Sequence, residues 1–147
     1  MRLTARNALL VIGVWEASSL VAMLFRILLI PVSNRLIFEG NAGVVASWLW
    51  EGLPEALVAA VAAVALVWII ETKKPLAWVC VLTALFAYDG SLRAWKWIRH
   101  GWVTSPTTAD RLGIWAQAFI PVAVCFAVGV WWTRRGAISR FAASQWT

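Results

Sequence analysis

Residues 8–30, ALLVIGVWEASSLVAMLFRILLI, form a long and predominantly apolar stretch that decides the fold class. The stretch has 23 residues, of which only Glu16 and Arg26 carry a charge. At about 1.5 Å of rise per residue, a helix of this length just crosses a hydrocarbon core of ~30 Å. We therefore interpret it as a transmembrane helix.

The composition extends this interpretation to the whole chain. Of the 147 residues, 62% are hydrophobic and 14% charged, and the mean hydropathy is +0.76, which is far from the range of soluble domains. The formal net charge is +6, but the basic residues sit at the ends of apolar segments. This pattern is typical of topology signals and contacts with anionic lipid, not of nucleic-acid binding.

Three further apolar segments predict helices over residues 53–70, 75–98 and 110–132. With the first helix at 8–30, they predict an all-α integral membrane protein, one domain over 1–147 that forms a four-transmembrane-helix bundle. The first helix is expected to end near Pro31, because proline disfavours helical geometry in the residue before it. In the connection that follows, apolar residues recur at helical spacing around Val44 and Trp48, which fits a short interfacial helix as well as an irregular loop.

The distribution of lysine and arginine predicts the orientation. Seven basic residues fall on the side of the termini, and five fall on the other side. The positive-inside rule then places both termini in the cytoplasm. We expect a multi-pass protein of the bacterial cytoplasmic membrane.

Glu16 is the most informative residue of the first helix. A carboxylate near the middle of a membrane helix costs about 2.5–3.5 kcal/mol to insert on insertion scales, so it normally faces protein or a water-filled cavity. Glu16 is therefore expected to point inward, beside the small residues Gly13, Ala17 and Ser19. Such a glutamate either takes part in proton or cation coupling, or pairs with a basic or hydrogen-bonding group of this or another subunit and holds helices in register.

The segment around this glutamate, GVWEASSLVAM at residues 13–23, resembles the first helix of the small multidrug resistance exporters. These are four-crossing proteins in which a first-helix glutamate is shared between protons and drugs. The resemblance implies a transport role for Glu16, and it covers these residues only.

Charged residues near the outer ends of the helices predict a second group of contacts. Arg26 lies about 15 Å along the helix axis from Glu16, which is too far for direct pairing. It either extends to the interface or meets Glu51, Glu55 or Asp89. Asp89 and Arg93 are four residues apart and can pair on one helical face. We interpret this group as a rim of ion pairs, with Glu55 also favoured by a nearby helix N-terminus.

Small residues predict where helices pack. Close approach of backbones drives helix association in lipid, and it needs small side chains at the contact. The second helix is expected to be the most buried one, since it carries a stripe of alanines. The residues predicted to lie in helix contacts are Gly13, Ala17, Ala56, Ala60 and Ala63.

The sequence favours a role without catalysis. It contains one histidine and two distant cysteines, Cys80 and Cys125, and no HExxH, CxxC or Gly-rich phosphate motif, so neither a metal nor a cofactor is predicted. The leading hypothesis is a non-catalytic subunit or accessory protein of a larger membrane complex, with other membrane subunits or copies of itself as partners. The alternative is a homo-oligomeric proton-coupled transporter or channel that uses Glu16, and the third is a membrane-embedded enzyme with an outer acidic site.

Overall fold

The computed structural model describes residues 2–37, 41–70, 72, 74–99 and 108–144. The regular elements in these ranges are four α-helices: α1 (Arg2–Ile37), α2 (Asn41–Ile69), α3 (Pro75–Arg99) and α4 (Thr108–Ser144). Each contains a segment long and apolar enough to cross a membrane. The all-helical, four-span architecture is therefore confirmed.

Three of the helices are longer than their apolar segments. α1 continues through Pro31 to Ile37, so the prediction that it ends near Pro31 is wrong. α2 begins at Asn41, which places Pro54 in its interior and makes the segment around Val44 the first turns of α2. α4 extends from Thr108 to Ser144. The physical reason is that hydropathy marks the part of a helix that suits lipid, whereas the backbone can continue beyond it, and membrane helices tolerate internal proline.

The helices pack in the order α1, α2, α4, α3. α2 has extensive contacts with α1 and α4, and α3 packs mainly against α4, whereas α1 and α2 contact α3 only slightly. Of the apolar span of α2, 44% is buried, against 11% for the span of α1. α2 is thus the central helix, and α1 lies at the edge of the bundle.

The centre of the bundle is built around small residues of α2. Ala56, Ala59, Ala62 and Ala63 are buried, and Ala60 is half-buried. The larger buried side chains of the same cluster are Val11, Leu66, Ile70, Leu82 and Phe86. Because alanine lets neighbouring backbones approach, the stripe gives α2 its central position.

Glycines let α3 and α4 approach closely. A Cβ atom added at Gly90 of α3 would lie 2.7 Å from the carbonyl oxygen of Ala118, and one added at Gly129 of α4 would overlap the side chain of Val79. Between these two contacts, the Thr83 hydroxyl donates to the Val79 carbonyl at 2.8 Å and lies 3.6 Å from Cys125 Sγ. The α3–α4 pair therefore has little room for larger side chains.

Candidate functional site

Glu16 lies on the exposed face of α1. It is the thirteenth residue of the 26-residue span Thr4–Leu29, which places it in the middle of the membrane segment. The expectation that it points into the bundle is wrong for the single chain, because α1 sits at the edge and turns its other face, with Val11 and Ser18, toward α2. No ion pair or hydrogen bond joins Glu16 to another described residue.

Apolar side chains extend from Glu16 in both directions along α1. They recur at spacings of three and four residues, so they share one helical face, and all are exposed; we call this face the Glu16 seam, and it comprises Leu9, Ile12, Glu16, Leu20, Met23 and Ile27. Spacings of three and four residues are those of helices that pack side by side. The seam is thus one continuous exposed apolar stripe of α1 with a carboxylate at its centre.

Gly13 and Ala17 flank the seam on one side and are both exposed. A Cβ atom added at Gly13 would have no neighbour within 4 Å. Ala17 lies at the edge of a shallow apolar groove between α1 and α2 that also contains Val14, Leu57 and Val61. The prediction that Gly13 lies in a helix contact is therefore wrong within the chain, and together the two residues leave a notch beside Glu16.

Charged residues from three helices meet near Leu29, the C-terminal end of the α1 span. Arg26 Nε and Arg93 Nη1 each lie 2.6 Å from Glu55 Oε1, and Arg93 Nη2 lies 3.2 Å from Asp89 Oδ2. We call these four residues the arginine cluster. Arg26 also lies over the Trp97 ring, 5.5 Å from its centroid. The structure thus joins Arg26 to Glu55 and pairs Asp89 with Arg93, two of the contacts that the sequence allowed.

Glu55 is the centre of the arginine cluster. Its side chain is only 5% exposed, and its second oxygen, Oε2, is buried with no hydrogen bond. Since α2 begins at Asn41, Glu55 lies several turns from the helix N-terminus and receives little from the helix dipole, which acts within the first turn. The prediction that a nearby helix N-terminus stabilises Glu55 is therefore wrong. The positive charges of Arg26 and Arg93 compensate the carboxylate instead. The side chain of Glu51 lies outside the described residues.

A cavity of about 260 Å³ adjoins the arginine cluster. It is bounded by α1 through Ser19, Ala22 and Met23, by Phe86 of α3 and by Pro121 of α4. The sequence did not indicate this cavity, because its walls come from four helices and only Ser19 and the charged residues carry a polar signal. Within the described residues, no three metal-ligating side chains come together.

Comparisons with known proteins add no relative. No family model, curated protein or solved structure matches this chain. The resemblance of residues 13–23 to the small multidrug resistance exporters therefore has no support beyond the segment itself.

Proposed function

We propose that this protein is a non-catalytic membrane subunit whose α1 binds a transmembrane helix of a different protein through the Glu16 seam. The observation that carries the proposal is the exposed carboxylate of Glu16 in the middle of the least buried span. Facing lipid, this group would cost about 2.5–3.5 kcal/mol on insertion scales. A partner helix that supplies a hydrogen-bond donor removes much of that cost.

Charge identifies the kind of partner. Residues 56–70, 75–88 and 112–133 carry no charged side chain, and residues 8–30 carry only Glu16 and Arg26. A second copy of this chain therefore has no cation at the depth of Glu16, and a two-fold pair of α1 helices would set Glu16 against Glu16. The complementary partner is a membrane helix of another protein with a lysine or arginine near the bilayer midplane.

The notch beside Glu16 supports a helix as the occupant. Gly13 and Ala17 are spaced as in the small-xxx-small pattern, which lets a second backbone approach closely. Close approach brings a basic side chain of the partner within reach of the carboxylate and excludes lipid from the pair. The Glu16 seam and the notch would thus form one contact surface for the partner helix.

Site-directed photocrosslinking in native membranes tests the proposal. A photoreactive residue at Leu20, on the seam, should give a crosslink to one different membrane protein, in a fixed ratio in the purified complex. The same residue at Ala84, an exposed position of α3, is the control and should not give that product. Glu16→Gln and Gly13→Leu should each abolish the Leu20 crosslink, while Ala84→Leu should retain it.

The stability of the isolated chain separates a lost contact from a lost fold. Neither Glu16 nor Gly13 is held by another part of the described chain, so both variants should keep the thermal stability of the wild type in detergent. The proposal is wrong if the crosslink persists in both variants or joins only copies of this chain. It is also wrong if the chain alone gives a proton flux in liposomes that Glu16→Gln abolishes, since that result supports a transporter.

A further inference from the structure

We propose that the cavity beside the arginine cluster binds the headgroup of a phospholipid that carries a primary ammonium, as in an ethanolamine headgroup. This site shares Met23 with the Glu16 seam but uses different polar residues, and it does not depend on the proposed function. The cavity combines a polar cluster with apolar walls.

The walls suit the junction between a headgroup and its acyl chains. Ala22, Met23, Phe86 and Pro121 are the apolar part of the lining. Met23 is 59% exposed, and α1 contacts α3 only slightly, so the cavity opens sideways between these two helices. A lipid can therefore enter from the bilayer without crossing the bundle.

The apolar spans of α1 and α2 each have one end close to the cavity. Arg26 is three residues from Leu29, where the apolar span of α1 ends, and Glu55 is three residues from Gly52, where the span of α2 begins. In α3, the uncharged segment that begins at Pro75 ends at Tyr88, directly before Asp89. The spans of α1 and α2 thus place the arginine cluster near the boundary between hydrocarbon and headgroups, whereas the span of α3, Pro75–Arg99, continues past it.

The charges of the cluster select a zwitterion. Arg26 and Arg93 balance Glu55 and Asp89, so the cluster has no formal net charge. A bound ion of either sign would add an uncompensated charge in a partly desolvated site, which is unfavourable. A zwitterionic headgroup instead places its phosphate toward the arginines and its ammonium toward Asp89. The net charge of the cluster and the bound headgroup together then stays zero.

Hydrogen bonding distinguishes ethanolamine from choline. The Asp89 side chain is 34% exposed and contacts one arginine, and the half-buried Ser19 hydroxyl has no hydrogen bond to described residues. Both can accept from an ammonium, whose three N–H groups are donors. A trimethylated ammonium has no N–H and gains neither bond.

Lipid-dependent thermal stability and native mass spectrometry test the proposal on the full chain. Phosphatidylethanolamine should bind and stabilise the protein more than phosphatidylcholine or phosphatidylglycerol with the same acyl chains. We expect an affinity ratio of roughly tenfold over phosphatidylcholine, the ratio that ~1.4 kcal/mol gives. Asp89→Asn should lower this ratio toward one, while Glu16→Gln, a carboxylate change outside the cavity, should leave it unchanged.

Soluble glycerophosphoethanolamine separates a lipid from a free headgroup, since only the lipid engages the apolar walls. It should give little stabilisation at concentrations that saturate the lipid effect. Equal binding of the three phospholipids, a preference that Asp89→Asn leaves intact, or full stabilisation by the soluble headgroup would each overturn the proposal. The Leu20 crosslink should persist in Asp89→Asn, so this site and the Glu16 seam can fail independently.

Discussion

Glu16 and Glu55 show how the same side chain has opposite consequences in the two parts of the bundle. Glu55 is buried, and its Oε1 atom lies 2.6 Å from two guanidinium nitrogens. Glu16 is exposed at mid-span and has no ion pair with the described residues. A compensated carboxylate has its partners within its own chain, whereas an uncompensated one needs a group from elsewhere. Glu55 is thus compensated within the fold, and Glu16 is the residue that we propose to act in assembly.

This assignment predicts unequal effects within the arginine cluster. Glu55→Gln leaves two mostly buried guanidinium groups without their shared carboxylate, and breaking a buried pair costs ~3–5 kcal/mol. Asp89→Asn removes a partly exposed i,i+4 partner, for which the cost is under ~1 kcal/mol. Thermal unfolding in one detergent should show a large loss for the first variant and a small one for the second. Equal losses of thermal stability in the two variants would contradict the conclusion that Glu55 is the centre of the arginine cluster.

At the scale of helices, the crossing of α3 and α4 should be sensitive to a single methyl group. A Cβ atom at Gly90 would press on the Ala118 carbonyl oxygen, which belongs to the backbone and cannot turn away. We expect Gly90→Ala to cost about 1–3 kcal/mol, as overpacking does. Gly13→Ala is the matched control, since its Cβ atom has open space. Unfolding measurements that rank Gly13→Ala as the more destabilising change would refute this account of the crossing.

The helices also show which features the sequence could predict. The four spans and the buried alanines of α2 followed from hydropathy and residue size, which are local properties. The direction of Glu16 did not follow, because it depends on which helix lies at the edge of the bundle. The order α1, α2, α4, α3 is set by contacts between distant residues, such as Gly90 with Ala118. The charge pattern indicated candidate partners for Arg26. The cavity beside the arginine cluster gave no signal in the sequence, because residues from four helices form its walls.

For the whole molecule, the packing order separates two surfaces of different chemistry. α1 has extensive contacts with α2 alone, so the Glu16 seam is open to a neighbouring protein. Because α1 contacts α3 only slightly, we expect the cavity beside the arginine cluster to open between these two helices. A change in the position of α1 would alter both surfaces, since Met23 belongs to the seam and to the cavity wall. α1 is thus the helix on which both proposals depend.

Orientation in the membrane is the remaining whole-molecule prediction. Four spans would put both termini on one side, and the seven-to-five distribution of basic residues predicts that this side is the cytoplasm. Reporter fusions after Lys74 and Arg135 should therefore behave as cytoplasmic, and fusions after Glu39 and Ser105 as extracytoplasmic. The arginine cluster would then lie in the outer half of the membrane, because Arg26 and Glu55 flank the connection that contains Glu39. Reversed signals at any two of these sites would refute the orientation and move the cavity to the inner leaflet.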